Sequence, residues 1–113
     1  MELSEIKKQL IELPGKIARA DEQLKDLRKK VEEVKLAYDV AYAKRFIELS
    51  ASEGTVKLKE AQAVIKTQEE AGKLIIANGD YRTQEVKVKE LSNMFDGVRK
   101  LASIITAEIG RIQ

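Results

Sequence analysis

The sequence predicts an all-α protein, a long coiled-coil-like antiparallel helical hairpin that assembles into an oligomeric helical bundle. Three observations predict it. Apolar residues advance by alternating steps of four and three through Ile6, Leu10, Leu13, Ile17, Ala20, Leu24, Leu27, Val31, Val34, Tyr38 and Ala41, which is a heptad seam. A second seam in the same rhythm runs through Leu74, Ala77, Tyr81, Gln84, Val88, Leu91, Phe95, Val98, Ala102, Ile105, Ile109 and Ile112. Between them the only dense cluster of turn-forming residues is Ser50-Ala51-Ser52-Glu53-Gly54, so the two seams belong to two helices joined by a tip.

The elements follow in order within a single helical domain, 1–113. Residues 1–13 form a lead-in helix, because Pro14-Gly15 removes a helical hydrogen bond and crowds the carbonyl four residues back. Leu13 and Ile17 keep the heptad phase across that point, so a kink or short break is expected there. Residues 16–50 read as one helix, with Gly and Pro absent after Gly15 and the seam sustained for about five heptads. The tip is placed at 51–54, with Ser52 or Thr55 capping the next helix. The second long helix runs over 55–112. Asn78-Gly79-Asp80 is a turn signal by composition, but the seam stays in register through it, so a weakened, continuous helix is expected. The alternative is a monomer folding back at Asn78-Gly79. Gly72, Gly79, Gly97 and Gly110 each weaken this helix by roughly 1 kcal/mol relative to alanine.

The arms match in length, at roughly 75 and 87 Å if fully helical, and can lie along each other. Pairing about the tip sets Ile17 near Val88, Leu27 near Asn78 and Tyr38 near Thr67, which makes the seam apolar toward the termini and poor near the tip. Two helices leave apolar residues uncovered, among them Tyr42, Phe46, Ile47, Leu49, Val64, Ile65, Ile75, Ile76, Met94, Leu101 and Ile104. A wide apolar face calls for further helices. A homo-oligomer is therefore expected, joined through Leu91, Phe95, Val98, Leu101, Ile105, Ile109 and Ile112, with help from the Leu3 to Leu13 segment.

Composition bounds the function. With 35% charged and 4% aromatic residues, the chain lacks the material of a thick globular core. Its 21 basic and 19 acidic residues give a formal charge of +2, too small to specify nucleic acid or membrane as partner. Cysteine and histidine are absent. That removes disulfides, thiolate zinc sites, thiol nucleophiles and the commonest general base. Glu32-Glu33 and Glu69-Glu70 are adjacent pairs, and neighbours on a helix point about 100° apart, so neither pair converges on a water or metal. The glycines are isolated and form no phosphate-binding loop. A non-enzyme without cofactor or metal is expected. The N-terminal residues mix charge with apolar residues, and nowhere do about 18 apolar residues run together; a cytoplasmic protein with no membrane partner is the reading.

Near the tip, Lys35, Tyr38, Tyr42, Lys44, Arg45 and Phe46 interleave charge with rings, and Lys57, Lys59 and Lys66 follow on the far side. Basic groups hold phosphates and rings stack on single-stranded bases, although aromatics recurring every four residues also line helix cores. The order Tyr42-Ala43-Lys44, Ser50 and Glu60-Ala61-Gln62 resembles the UvsY-like phage recombination mediators over residues 31–112. The resemblance implies a ring-like oligomer that binds single-stranded DNA and helps load a recombinase or other phage replication protein in the host cytoplasm. In that family a basic segment follows the triplet, whereas Gln68-Glu69-Glu70 stands here. The implied DNA path therefore falls to Lys44, Arg45, Lys57, Lys59 and Lys66. The alternative is a coiled-coil scaffold or assembly chaperone that binds protein partners.

Overall fold

A computed structural model describes residues 2–51 and 54–112. Ser52 and Glu53 of the expected tip, and with them the capping role considered for Ser52, lie outside the described residues. Three helices account for nearly all the rest: α1 (Leu3–Ser50), α2 (Val56–Lys66) and α3 (Gln68–Ile112). No strand occurs among the described residues, so the all-α class stands.

α1 departs from expectation by running unbroken through Pro14. Leu13 is 3% exposed and Ile17 half-buried, whereas Pro14 faces solvent. The cost of the proline, about 3 kcal/mol, falls on the outer side of the helix, where water can take the freed carbonyl. Burial of the seam on the other side keeps the helix going. The lead-in helix 1–13 and the helix 16–50 are thus one element.

The second long helix differs elsewhere. Asn78-Gly79-Asp80 lies within α3, and an interruption not expected from the sequence comes at Thr67, between α2 and α3. Thr67 is 1% exposed. Its hydroxyl donates to the carbonyl of Ala63 at 2.7 Å and approaches that of Val64 at 3.3 Å, while its own N–H is shared between the same two carbonyls at 3.1 and 3.3 Å. Side-chain back-bonding of this kind bends helices, and the φ of −111° and ψ of 19° at Thr67 depart from helical values. Ala71 N–H still reaches the Thr67 carbonyl at 3.0 Å, so the interruption spans a single residue.

Around the tip, Thr55 is the N-cap of α2, its Oγ1 accepting from Leu58 N–H at 3.2 Å. Gly54 has φ +129°, a conformation that side chains rarely adopt and that favours glycine, and a Cβ there would also crowd the flexible end of Leu58 at 3.0 Å. α1 carries no basic residue in its last turn. Lys59 supplies the missing cation, its Nζ donating to the Ser50 carbonyl at 3.1 Å.

The chain forms two compact units, one from Met1–Leu24 with Thr83–Gln113 and one from 25–82. In the first, Ile6, Leu13 and Val98 are buried together, and Leu10, Leu91, Phe95, Leu101, Ala102 and Ile105 pack against them. Gln84, the polar member of the seam, donates from Nε2 to the Ala20 carbonyl at 3.0 Å and to Gln23 Oε1 at 3.1 Å. Arg99 lies 5.7 Å from the Phe95 ring centroid.

In the second unit the buried residues are small: Ala63, Thr67 and Ala77. Leu27, Val31, Val34, Tyr38, Ala41, Leu74 and Tyr81 are half-buried. Arg28 donates to Tyr81 Oη at 2.9 Å and stands 5.7 Å from its ring centroid. Past Ala41 the covered positions are Tyr42, Phe46 and Leu49, while Arg45 and Glu48, next in the strict heptad, are exposed. Steps of four, four and three from Tyr38 to Leu49 make an eleven-residue stutter, which absorbs the mismatch between 3.5 and 3.6 residues per turn.

Candidate nucleic-acid interface

The five basic residues expected to meet DNA all belong to the second unit, and the helices set them in different directions. Lys59 and Lys66 are seven residues apart on α2 and share a face, whereas Lys57 lies about 180° from Lys66 at 100° per residue. Lys59 is half-buried and engaged with the Ser50 carbonyl. Arg45 pairs with Glu48 at 3.1 Å, both side chains 49% exposed. Lys44, Lys57 and Lys66 are exposed and join no ion pair among the described residues.

The rings stand as a ladder on α1. Tyr38 and Tyr42 have centroids 6.4 Å apart at 33°, and Tyr42 and Phe46 lie 6.5 Å apart at 13°. All three are half-buried, so their faces are partly spent on each other and on the interior. The acidic Gln68-Glu69-Glu70 stretch has a structural reason. It opens α3, and carboxylates are favoured in a helix's first turn by the unpaired N–H groups there.

A groove of about 630 Å3 runs along the same part of α1. Its floor is Leu36, Ala37, Val40 and Ala41, and its rim is Glu33, Lys44, Arg45, Glu48 and Glu70. Glu70 Oε2 is itself buried and accepts no hydrogen bond from the described residues. Beside the groove the outer face of α1 is apolar: Leu36 is 65% exposed, Val40 57% and Ile47 70%. Together with Ala43 these four follow steps of four, three and four, a second apolar stripe on the side of α1 opposite its seam. Sequence reasoning about uncovered residues found Ile47 but missed Leu36 and Val40. The signal was the same heptad spacing, out of phase with the dominant seam.

The residues expected at an oligomer interface divide into two groups. Val98 is buried by Ile6 and Leu13 of its own chain, and Leu91, Phe95, Leu101 and Ile105 pack on that cluster. Ile109 and Ile112, on the same seam, remain 47% and 85% exposed. Of the other uncovered positions, Tyr42, Phe46, Leu49 and Leu101 are half-buried, whereas Val64, Ile65, Ile75, Ile76, Met94 and Ile104 are at least half exposed.

Among the described residues no cluster of three or more acidic, histidine or cysteine side chains is placed to hold a metal, and no helix is long and apolar enough to cross a membrane. Comparisons with protein-family models, curated proteins and solved structures return no match. The functional reading therefore rests on the residues themselves.

Proposed function

We propose that the chain is a non-catalytic helical scaffold that folds as a long antiparallel hairpin and self-associates into an oligomeric bundle. Support for the hairpin comes from the pairings inside each unit. Ala20 with Gln84 lies one residue from the register expected of Ile17 with Val88, and Arg28 with Tyr81 lies one helical turn from that expected of Leu27 with Asn78.

One observation carries the self-association. Over residues 36–49 of α1 only Asp39, Lys44, Arg45 and Glu48 are charged, and apolar side chains occupy both the inner and the outer face. A helix that is apolar all round is an interior helix, yet the outer face here is bare. Contiguous exposed apolar surface of this kind marks an interaction site. The scaffold's protein partners then dock on the assembled bundle.

The test is the mass in solution. Light scattering across a concentration series is expected to give a species heavier than the 12.7 kDa chain. Leu36→Lys with Ile47→Lys is expected to reduce that species to a monomer of unchanged helicity. A wild-type chain that stays monomeric throughout overturns the proposal.

A second reading keeps the exposed, unpaired Lys44, Lys57 and Lys66 for single-stranded DNA, in the manner of a cytoplasmic phage recombination accessory protein that meets a recombinase or replication protein. Its observation is weaker, because Lys59 and Arg45 are engaged within the chain and Lys57 faces away from Lys66. Anisotropy of a labelled oligonucleotide at two salt concentrations tests it, since phosphate contacts weaken as salt rises. Binding that is salt-sensitive, strand-selective and abolished by Lys57→Glu with Lys66→Glu supports this reading; no binding at low salt by the folded chain removes it.

A further inference from the structure

We infer that the outer stripe of α1, Leu36, Val40, Ala43 and Ile47, packs in parallel and in register against the same stripe of a second copy of this chain. The inference rests on the self-association proposed above and gives it a surface, a symmetry and a direction.

The stripe carries both halves of its own complement. Its four residues keep the rhythm of a coiled-coil seam, and all four are exposed. At 100° per residue, Asp39 stands about 70° to one side of the stripe's midline and Lys44 about 70° to the other. Both are exposed, and neither joins an ion pair among the described residues. The remaining charges of this stretch lie farther round the helix. Lys35 and Glu48 are about 110° from the midline and Arg45 about 170°, and Arg45 is already paired with Glu48 at 3.1 Å. Glu32 and Glu33 close the stripe below Leu36.

Symmetry turns these positions into a direction. An antiparallel two-fold pair brings the same side of each stripe together, so Lys44 shares a side with the other copy's Lys44, Asp39 with its Asp39, and Glu33 falls beside its Glu48. A parallel pair brings opposite sides together. Asp39 then meets the other copy's Lys44 and Lys44 its Asp39, the five-residue offset at which flanking charges pair across a parallel coiled coil.

Register follows from the apolar layers. In the parallel pair each of the four residues faces its own copy, so every layer is apolar. The antiparallel pair keeps four apolar layers only when centred between Ala41 and Tyr42. Sliding it by one heptad, which would let Lys44 reach Glu33, sets Ile47 against Lys29, and the opposite slide sets Leu36 against Gly54. Below the parallel stripe Glu33 meets its own copy, and that repulsion confines the contact to the four layers.

Absence of native cysteine makes a single label per chain a clean test. Lys29, exposed on the outer line of α1, is replaced in the full-length chain by Lys29→Cys and spin-labelled, and the distance between copies is measured in the oligomer. Parallel pairing is expected to give under about 20 Å, whereas antiparallel pairing sets the two positions about 38 Å apart, or about 27 Å after the slide toward Lys29. A distance of about 25 Å or more overturns the inference. Sedimentation at low salt supplies the second measurement. Asp39→Lys and Lys44→Asp are each expected to raise the concentration of half-dissociation about fivefold at unchanged helicity, and the two together to recover most of it. An oligomeric wild type in which the two reversals fail to rescue each other overturns the parallel pair while leaving self-association in place. A wild type that is monomeric at every concentration overturns both.

Discussion

Gly72, Gly79 and Gly97 lie inside α3 with nothing within 4 Å of the position a Cβ would take. Alanine there has no clash to overcome. It gains the difference in helix propensity, about 0.5–1 kcal/mol per site, because the unfolded chain loses backbone freedom it otherwise keeps. Gly72 and Gly79 are about 10 Å apart along the helix and Gly79 and Gly97 about 27 Å, far enough for near-additivity. The triple variant should therefore be more stable by roughly 1.5–3 kcal/mol, and its melting temperature higher by roughly 10 °C. Urea unfolding followed by far-ultraviolet circular dichroism at fixed protein concentration measures the first quantity, and a thermal scan the second. A triple variant no more stable than the parent would mean that another chain approaches these positions closely. If one of the three singles alone is destabilising, it marks the contacted helix face.

Four further substitutions probe the two units. Leu13→Ala, which empties a site only 3% exposed, should cost about 3 kcal/mol, whereas Leu36→Ala at 65% exposure should cost under about 1 kcal/mol when measured below the concentration of assembly; similar losses would contradict the assignment of inner and outer faces. Gln84→Leu removes the bonds to Ala20 and Gln23 and should raise stability while loosening register, as a polar seam residue trades stability for alignment. Spin labels at residues 16 and 87 should then report a broader distance distribution, and an unchanged one would deny Gln84 that role. Thr67→Val keeps the volume but removes the hydroxyl from the Ala63 carbonyl. Amide exchange around residues 63–71 should slow as the helix straightens, at a net change within about 1 kcal/mol. Faster exchange there would make the hydroxyl a support of the bend instead of its cause.

Most of the architecture was legible because periodicity and burial report the same physics. From Ile6 to Ala41 every seam residue is buried or half-buried, and so is every one from Leu74 to Ile105. The boundaries were less legible, because a breaker's effect depends on which side of the helix it occupies. Pro14 faces solvent and is tolerated, whereas Thr67 carries no breaker signal by composition and interrupts the helix because burial turns its hydroxyl onto the Ala63 carbonyl. Gly79 is exposed and helical for the first of these reasons. At the candidate site the basic residues were visible, but their engagement was not: that Lys59 would close the end of α1 follows from tip geometry. Leu36 and Val40 were hidden by the stronger stripe on the same helix, since a single best phase leaves a second one unexamined.

The distribution of core material gives the exposed stripe its energetic meaning. Ile6, Leu13 and Val98 are large side chains sealed in the first unit, whereas Ala63, Thr67 and Ala77 are what the second unit seals. Burial contributes in proportion to apolar area, and among the described residues the second unit fully seals no large apolar side chain. It is also the unit whose α1 segment is apolar on both faces. A partner helix over Leu36, Val40 and Ile47 adds the burial that the small core lacks, and because it binds the folded form alone, the gain grows with the logarithm of concentration. The second unit's amides should accordingly become more protected from exchange as the protein is concentrated, while those around Leu13 and Val98 stay as they were.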